Sequence, residues 1–224
     1  MKIDGEYTFD APQDLVWQAV QDPDVLGSVV PGGEGVEEVG ENEYSTKLKV
    51  KVGPVQGKFD GNIKLSNIDP PHSYDIEVDG KGAPGFVKAT GSLKLDGQGD
   101  KTHMVYSGDA RVGGRIASVG QRLMDSSAKS IINQSLNALN EYLKVEVEKQ
   151  NISKAAEETG ASEEEVKEQV AKVKAPEYVP PSQTELAMNV AKDVANDFIP
   201  PQYQPYIIGA VILVILVILY LIFT

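Results

Sequence analysis

Apolar and polar residues alternate along much of the chain, and the period changes once, near residue 113. Lys2 to Phe9 puts Ile3, Gly5, Tyr7 and Phe9 on one side, the two-residue period of a strand. Tyr44 to Val52 repeats it, with Tyr44, Thr46, Leu48, Val50 and Val52 set against Lys47, Lys49 and Lys51, until Gly53-Pro54 breaks the run. Further strands are predicted over Phe59–Ile68, His72–Val78, Val87–Leu95 and Thr102–Val112. Turns such as Asp69-Pro70-Pro71 and Asp96-Gly97-Gln98-Gly99 divide them. A weaker strand at Val36–Val39 brings the count to about seven. Links this short suit antiparallel neighbours with one face covered and the other wet.

Helical periods fill the remainder of the first 145 residues. Asp10 is predicted to cap a helix running to about Val20, with Pro12 in its first turn and Gln13 as the capping-box partner. That helix presents Leu15, Val16, Ala19 and Val20, with Trp17 beside them. A short helical turn after Pro23 ends at Pro31-Gly32-Gly33. Beyond Gly113-Gly114 a long helix is predicted over Arg115–Leu143, with Ile116, Val119, Leu123, Met124, Ile131, Leu136, Leu139 and Leu143 as its apolar positions. Their direction drifts along the helix, as expected where it crosses a twisted sheet. One sheet needs one cover, and this element is long enough to supply it.

The inward register also receives Gly5, Gly61, Gly91 and Gly108, each in a different strand, while the helix contributes Gly120, Ser127 and Ala128. Two readings stand. The glycines leave a cavity between sheet and helix, or they only permit curvature and bulges. Tyr7, Phe59, Ile63, Tyr74, Ile76 and Tyr106 share the concave register, and Leu123 with Ile131 would close the space from the helix. An apolar enclosure with a few phenol hydroxyls suits an elongated, weakly polar ligand such as a lipid or an isoprenoid quinone. An ordinary aromatic core would use the same side chains.

The C-terminal third differs. Lys144 to Pro205 holds 12 acidic and 7 basic residues and few large apolar ones, which reads as a linker over residues 146–205. Ser162 and Glu165 would cap a solvated helix in it. Near 184–199, Leu186, Val190, Val194 and Phe198 recur every fourth residue, an amphipathic helix suited to docking on protein. Residues 206–223 then read as a transmembrane anchor, because Ile207 to Phe223 has neither a charge nor a proline. Seventeen residues would span roughly 26 Å. Their insertion is favoured by about 4 to 8 kcal/mol.

Composition narrows the chemistry. The chain has 224 residues, with 33 Asp plus Glu against 21 Lys plus Arg, a net charge of -12. Without a dense basic tract, nucleic acid is a poor partner. There is no Cys, and His72 and His103 lie far apart in the sequence, so neither a metal site nor a nucleophilic triad is expected, and the chain does not read as an enzyme. The N-terminus lacks the pattern of a secretory signal. With the C-terminal run, this places the protein at the cell membrane with its folded domain facing the cytoplasm, the bilayer being one partner.

Across residues 1–145 the chain resembles the carbon monoxide dehydrogenase CoxG (CoxG-like) family of the helix-grip, START-like (SRPBCC) superfamily. The resemblance rests on Ala11-Pro12, Val16-Trp17, Asp22-Pro23, Val25-Leu26 and Pro31-Gly32. It continues through Val52-Gly53-Pro54-Val55 with Gly57, Phe59 and Gly61, then Pro70-Pro71 with Tyr74, and Gly80, Gly82 and Gly85. Tyr106, Asp109-Ala110, Val112-Gly113-Gly114 and Gly120 complete it. It implies an α+β fold, a seven-stranded antiparallel sheet wrapped round a C-terminal helix with a cavity between. It also implies a membrane-recruiting or accessory role toward molybdenum hydroxylases of the carbon monoxide dehydrogenase type. A carrier of a quinone or lipid and a tail-anchored adaptor that binds no ligand both fit.

Overall fold

The computed structural model describes residues 1–159 together with Val170 and Val173. Its elements are β1 (Lys2–Phe9), α1 (Gln13–Ala19), α2 (Pro23–Val29), β2 (Gly33–Gly40), β3 (Glu43–Val52), β4 (Val55–Asp69), β5 (Ser73–Gly82), β6 (Gly85–Gln98), β7 (Lys101–Gly113) and α3 (Gln121–Thr159). A 3-10 turn, Arg115–Val119, precedes α3. The strands form one antiparallel sheet in the order β1-β7-β6-β5-β4-β3-β2. From β2 to β7 each strand pairs with the next in sequence, whereas β1 flanks β7, with Lys2 opposite Asp109 and Phe9 opposite Thr102. This is the helix-grip arrangement, with α3 as the long cover.

Register keeps the inward residues together. Gly5 lies opposite Tyr106, Tyr106 opposite Leu93, Leu93 opposite Tyr74, and Ile76 opposite Leu65. Two packed clusters result. The larger joins Phe9, Val16, Val25, Tyr74, Leu95, Met104, Leu139 and Leu143 beneath α1, α2 and the later part of α3. The smaller joins Val52, Phe59 and Ile116 with Val119 and Leu123 at the start of α3. Each fully buried Leu or Phe contributes roughly 1.5–3 kcal/mol of apolar transfer.

The N-terminus of α1 departs from expectation. Pro12 occupies its N-cap and makes no side-chain hydrogen bond. Asp10 instead turns to α3 and β7. Its amide donates to Asn140 Oδ1 at 2.8 Å, while its carboxylate accepts from Asn140 Nδ2 at 3.3 Å and pairs with Lys101 at 2.9 Å. The Lys101 contact, then the Asn140 one, holds the Asp10 carboxyl below its usual range. Gln13 completes no capping box because its Nε2 donates to the carbonyl oxygens of Pro71 and Leu95, both at 3.1 Å. The side-chain cap belongs to α2, where Asp22 accepts from the amides of Asp24 and Val25.

The long helix is also displaced from its expected bounds. Gly114 and Gly120 have φ of 86° and 92°, a conformation that disfavours any residue with a Cβ, and they bracket the 3-10 turn. The helix therefore starts at Gln121. It continues past Leu143 to Thr159, a stretch free of glycine and proline.

The expected membrane-spanning helix is corrected. Among the described residues no helix is long and apolar enough to cross a membrane. Length is not the obstacle for α3, with 39 residues, but charges such as Arg122, Asp125, Lys129, Glu141 and Lys144 along it are incompatible with a hydrocarbon core. The run over 206–223, the amphipathic segment near 184–199 and the helix capped by Ser162 lie outside the described residues. The membrane-anchored role, the bilayer as partner and the placement at the cell membrane are corrected with the helix they relied on, and function rests on the helix-grip domain.

Leu143 is fully buried. Leu143→Ala is expected to destabilise the domain by about 3 kcal/mol, read from denaturant unfolding.

Candidate functional site

Between the two clusters the sheet and helix do not close on each other. Ile3, Leu48, Val78 and Ala89 stand in the inward register, belong to neither cluster, and remain half-buried. On α3 the stretch between Leu123 and Leu136 carries Met124, Ala128 and Ile131, also half-buried and outside both clusters. Protein interiors are close-packed, so apolar side chains left half-covered on the covered face mark a hollow. A cavity of about 300 Å³ lies at one end of this region, lined by Ala110 and Val112 of β7 with Met1, Ala117, Gln121 and Met124.

The glycines divide between the two readings offered for them. Gly91 and Gly108 face each other across β6 and β7. A Cβ would sit 2.7 Å from the Ser107 carbonyl oxygen at Gly91, and 2.6 Å from that of Thr90 at Gly108, so both serve close backbone approach. At Gly5 the missing side chain is replaced by the Tyr106 ring. Gly80 is different, because the nearest atom to a Cβ there, the Val87 carbonyl oxygen, is 3.7 Å away. Gly61 lies between, with Thr46 Cγ2 at 3.1 Å.

The eight residues predicted for the site do not form one ring. Tyr7, Ile63, Tyr74, Ile76 and Tyr106 all join or border the larger cluster. Phe59 and Leu123 belong with the smaller one. Ile131 lies on the α3 stretch between them. Tyr74 is buried, its hydroxyl donates to the Val20 carbonyl oxygen at 3.3 Å, and its ring meets the edge of Trp17. Burial pushes its pKa well up. The Tyr7 hydroxyl is also engaged, donating to Asn137 Oδ1 at 2.9 Å.

Tyr106 keeps its hydroxyl without a hydrogen-bond partner among the described residues, and so does Tyr44, opposite Ile63 on the adjoining strand. Burial raises the pKa of both, with Asp4 adding at Tyr106 and Glu38 at Tyr44, so each stays a neutral donor at physiological pH. Tyr44, Ile3, Leu48, Val78 and Ala89 were missed as lining residues, although the same alternation that singles out Tyr106 would have found them.

Charge is nearly absent from this side of the sheet. Of the inward-register residues on the seven strands, only Glu38 carries a charge. The outer face is the reverse. A groove of about 1000 Å³ there is walled by Glu43, Lys64, Glu77, Asp79, Lys88 and Arg111 among others, unsuitable for an apolar molecule.

Residues 5–144 match the carbon monoxide dehydrogenase family described as CoxG. The chain belongs to this family. As a CoxG member it is a non-catalytic protein with a helix-grip interior suited to a small hydrophobic molecule. Among the described residues no group of three or more His, Asp or Glu is placed to hold a metal ion. No curated protein matches the chain. Among solved structures, a conserved protein from Geobacillus kaustophilus is 31% identical, with a TM-score of 0.62, covering 64% of this chain and 95% of that one. An aromatase/cyclase from a Streptomyces species is 20% identical with a TM-score of 0.50, covering 66% and 95%. A START superfamily protein from Mycobacterium smegmatis is 12% identical with a TM-score of 0.51, covering 64% and 97%. The latter two establish the shared fold alone.

Gly91→Ala is expected to destabilise this CoxG domain by about 1–3 kcal/mol through backbone overlap. Gly80→Ala should leave the thermal midpoint nearly unchanged. Paired thermal unfolding of the two variants checks the contrast.

Proposed function

We propose that the hollow between the clusters binds a neutral, elongated, carbonyl-bearing molecule, an isoprenoid quinone, in support of an oxidoreductase of the carbon monoxide dehydrogenase type. The observation that carries this reading is the pairing of an almost uncharged inward face with the unengaged Tyr106 hydroxyl. A carboxylate or phosphate brought inside would lose its hydration without meeting a cation, a cost of several kcal/mol. A quinone carbonyl needs only a donor, which a phenol supplies. Its isoprenoid tail would cover Ile3, Leu48, Val78 and Ala89, the apolar side chains that packing leaves half-exposed.

Family membership supports the enzyme assignment, and the electron-carrying chemistry of a quinone suits such a partner. The chain then holds and presents the molecule, and the redox step belongs to the enzyme.

Titration calorimetry of the chain with a short-tailed ubiquinone, and separately with oleate, tests the reading. Saturable quinone binding at least about tenfold tighter than oleate binding is expected, since an unpaired buried carboxylate loses more than about 1.4 kcal/mol. Ala89→Phe should abolish uptake by filling the hollow. Tyr106→Phe should weaken it about fivefold, the worth of one hydrogen bond of ~1 kcal/mol. Tighter oleate binding, or an Ala89→Phe variant that still takes up quinone, would refute the assignment.

A further inference from the structure

On a chain of net charge -12, one outward surface is strongly basic. Lys47, Lys49 and Lys51 occupy alternate positions of β3 and therefore share its outer face. Lys58 of β4 stands directly opposite Lys49, and Gln56 opposite Lys51. Asp60, opposite Lys47, is the acidic residue in this part of the hairpin. All four lysines are exposed. Among the described residues, only Lys58 of the four has an ion-pair partner within 4 Å, namely Glu34 at 2.6 Å. The hydrogen bond from Lys58 holds the Glu34 carboxyl below its usual range, with Lys49 and Lys47 adding to the effect.

Like charges directly opposite on neighbouring strands are destabilising. Nothing in the fold calls for them, because an exposed outward position accepts any polar residue. The inner side of the same hairpin is packed: Val50, Val52, Val55 and Phe59 lie in the smaller cluster with Leu123. The lysines are thus carried on a backed, ordered wall beside one end of the hollow.

We propose that the outer face of the β3–β4 hairpin docks an acidic patch on a partner protein, which, resting on the function proposed above, is the carbon monoxide dehydrogenase-type enzyme. Charge complementarity identifies the class of partner. The exposed large apolar side chains are Val39, Phe86 and Val105, none of them on this hairpin, so it offers nothing to insert into a bilayer. The acidic remainder of the chain opposes an extended polyanion and orients an approaching acidic protein toward this one surface. Docked there, the enzyme would lie against the wall of the ligand space.

The test measures affinity of the full chain for the purified holoenzyme, comparing wild type, a Lys47→Glu/Lys49→Glu/Lys51→Glu variant, and Lys94→Glu as an outer-face control on β6. The triple variant is expected to bind at least about tenfold more weakly, and wild-type affinity to fall between about 50 and 200 mM salt, as screened surface charges require. The control should bind like wild type, and quinone uptake and thermal midpoint should be unaltered in all three. Equal enzyme binding by the triple variant overturns the docking surface. So does a triple variant that loses binding only to vesicles of phosphatidylcholine with phosphatidylglycerol and not to the enzyme. If wild type does not bind the enzyme, docking surface and partner both fall, while calorimetry with quinone judges the ligand separately.

Discussion

A helix longer than its packing contacts can be fixed at both ends and left free of the sheet between them, and the rest of this structure depends on that arrangement. The larger cluster holds α3 through Leu139 and Leu143, and the smaller one holds its beginning through Leu123. Each is an ordinary apolar core. Their separation is what makes the hollow, because the strands must bridge both ends without collapsing onto the stretch around Ile131. Tight backbone approach at Gly91 and Gly108 permits the curvature this needs. Empty space and sheet shape are therefore two results of one packing problem.

Polarity follows the same division. The inward face has lost its charges except Glu38, while the outward face carries both signs, with lysines gathered on the β3–β4 hairpin. A small molecule and a protein surface would accordingly meet different sides of one sheet. The hairpin links the two, since its inward residues pack in the smaller cluster and its outward ones face solvent. The domain thereby separates recognition of a ligand from recognition of a macromolecule without needing a second domain.

The fold was legible because its main determinant is a two-residue alternation, and β1 emerges with the bounds the pattern predicts. Strand ends were less so. The paired backbone of β4 begins at Val55 and that of β6 runs to Gln98, positions where pairing continues although the apolar signal has faded. The cap of α1 was misread because the partners of Asp10 are Asn140 and Lys101, 130 and 91 residues away, outside any local pattern. Gly80 and Gly91 look alike in a sequence, yet only the neighbouring strand's backbone distinguishes space from contact. The same holds for the tyrosines: whether a hydroxyl is free depends on Val20 and Asn137, which no spacing rule connects to Tyr74 and Tyr7.

The pairing of β1 with β7 also bears on how the domain is made. Lys2 meets Asp109, so the first strand leaves the ribosome more than a hundred residues before its neighbour exists. Hairpins from β2 to β7 can form as they emerge, whereas β1, with Phe9 at its end, has to wait exposed. Such long-range closure slows folding. During synthesis the nascent chain carries an unpaired edge that chaperones, or an early association with α1, must shield.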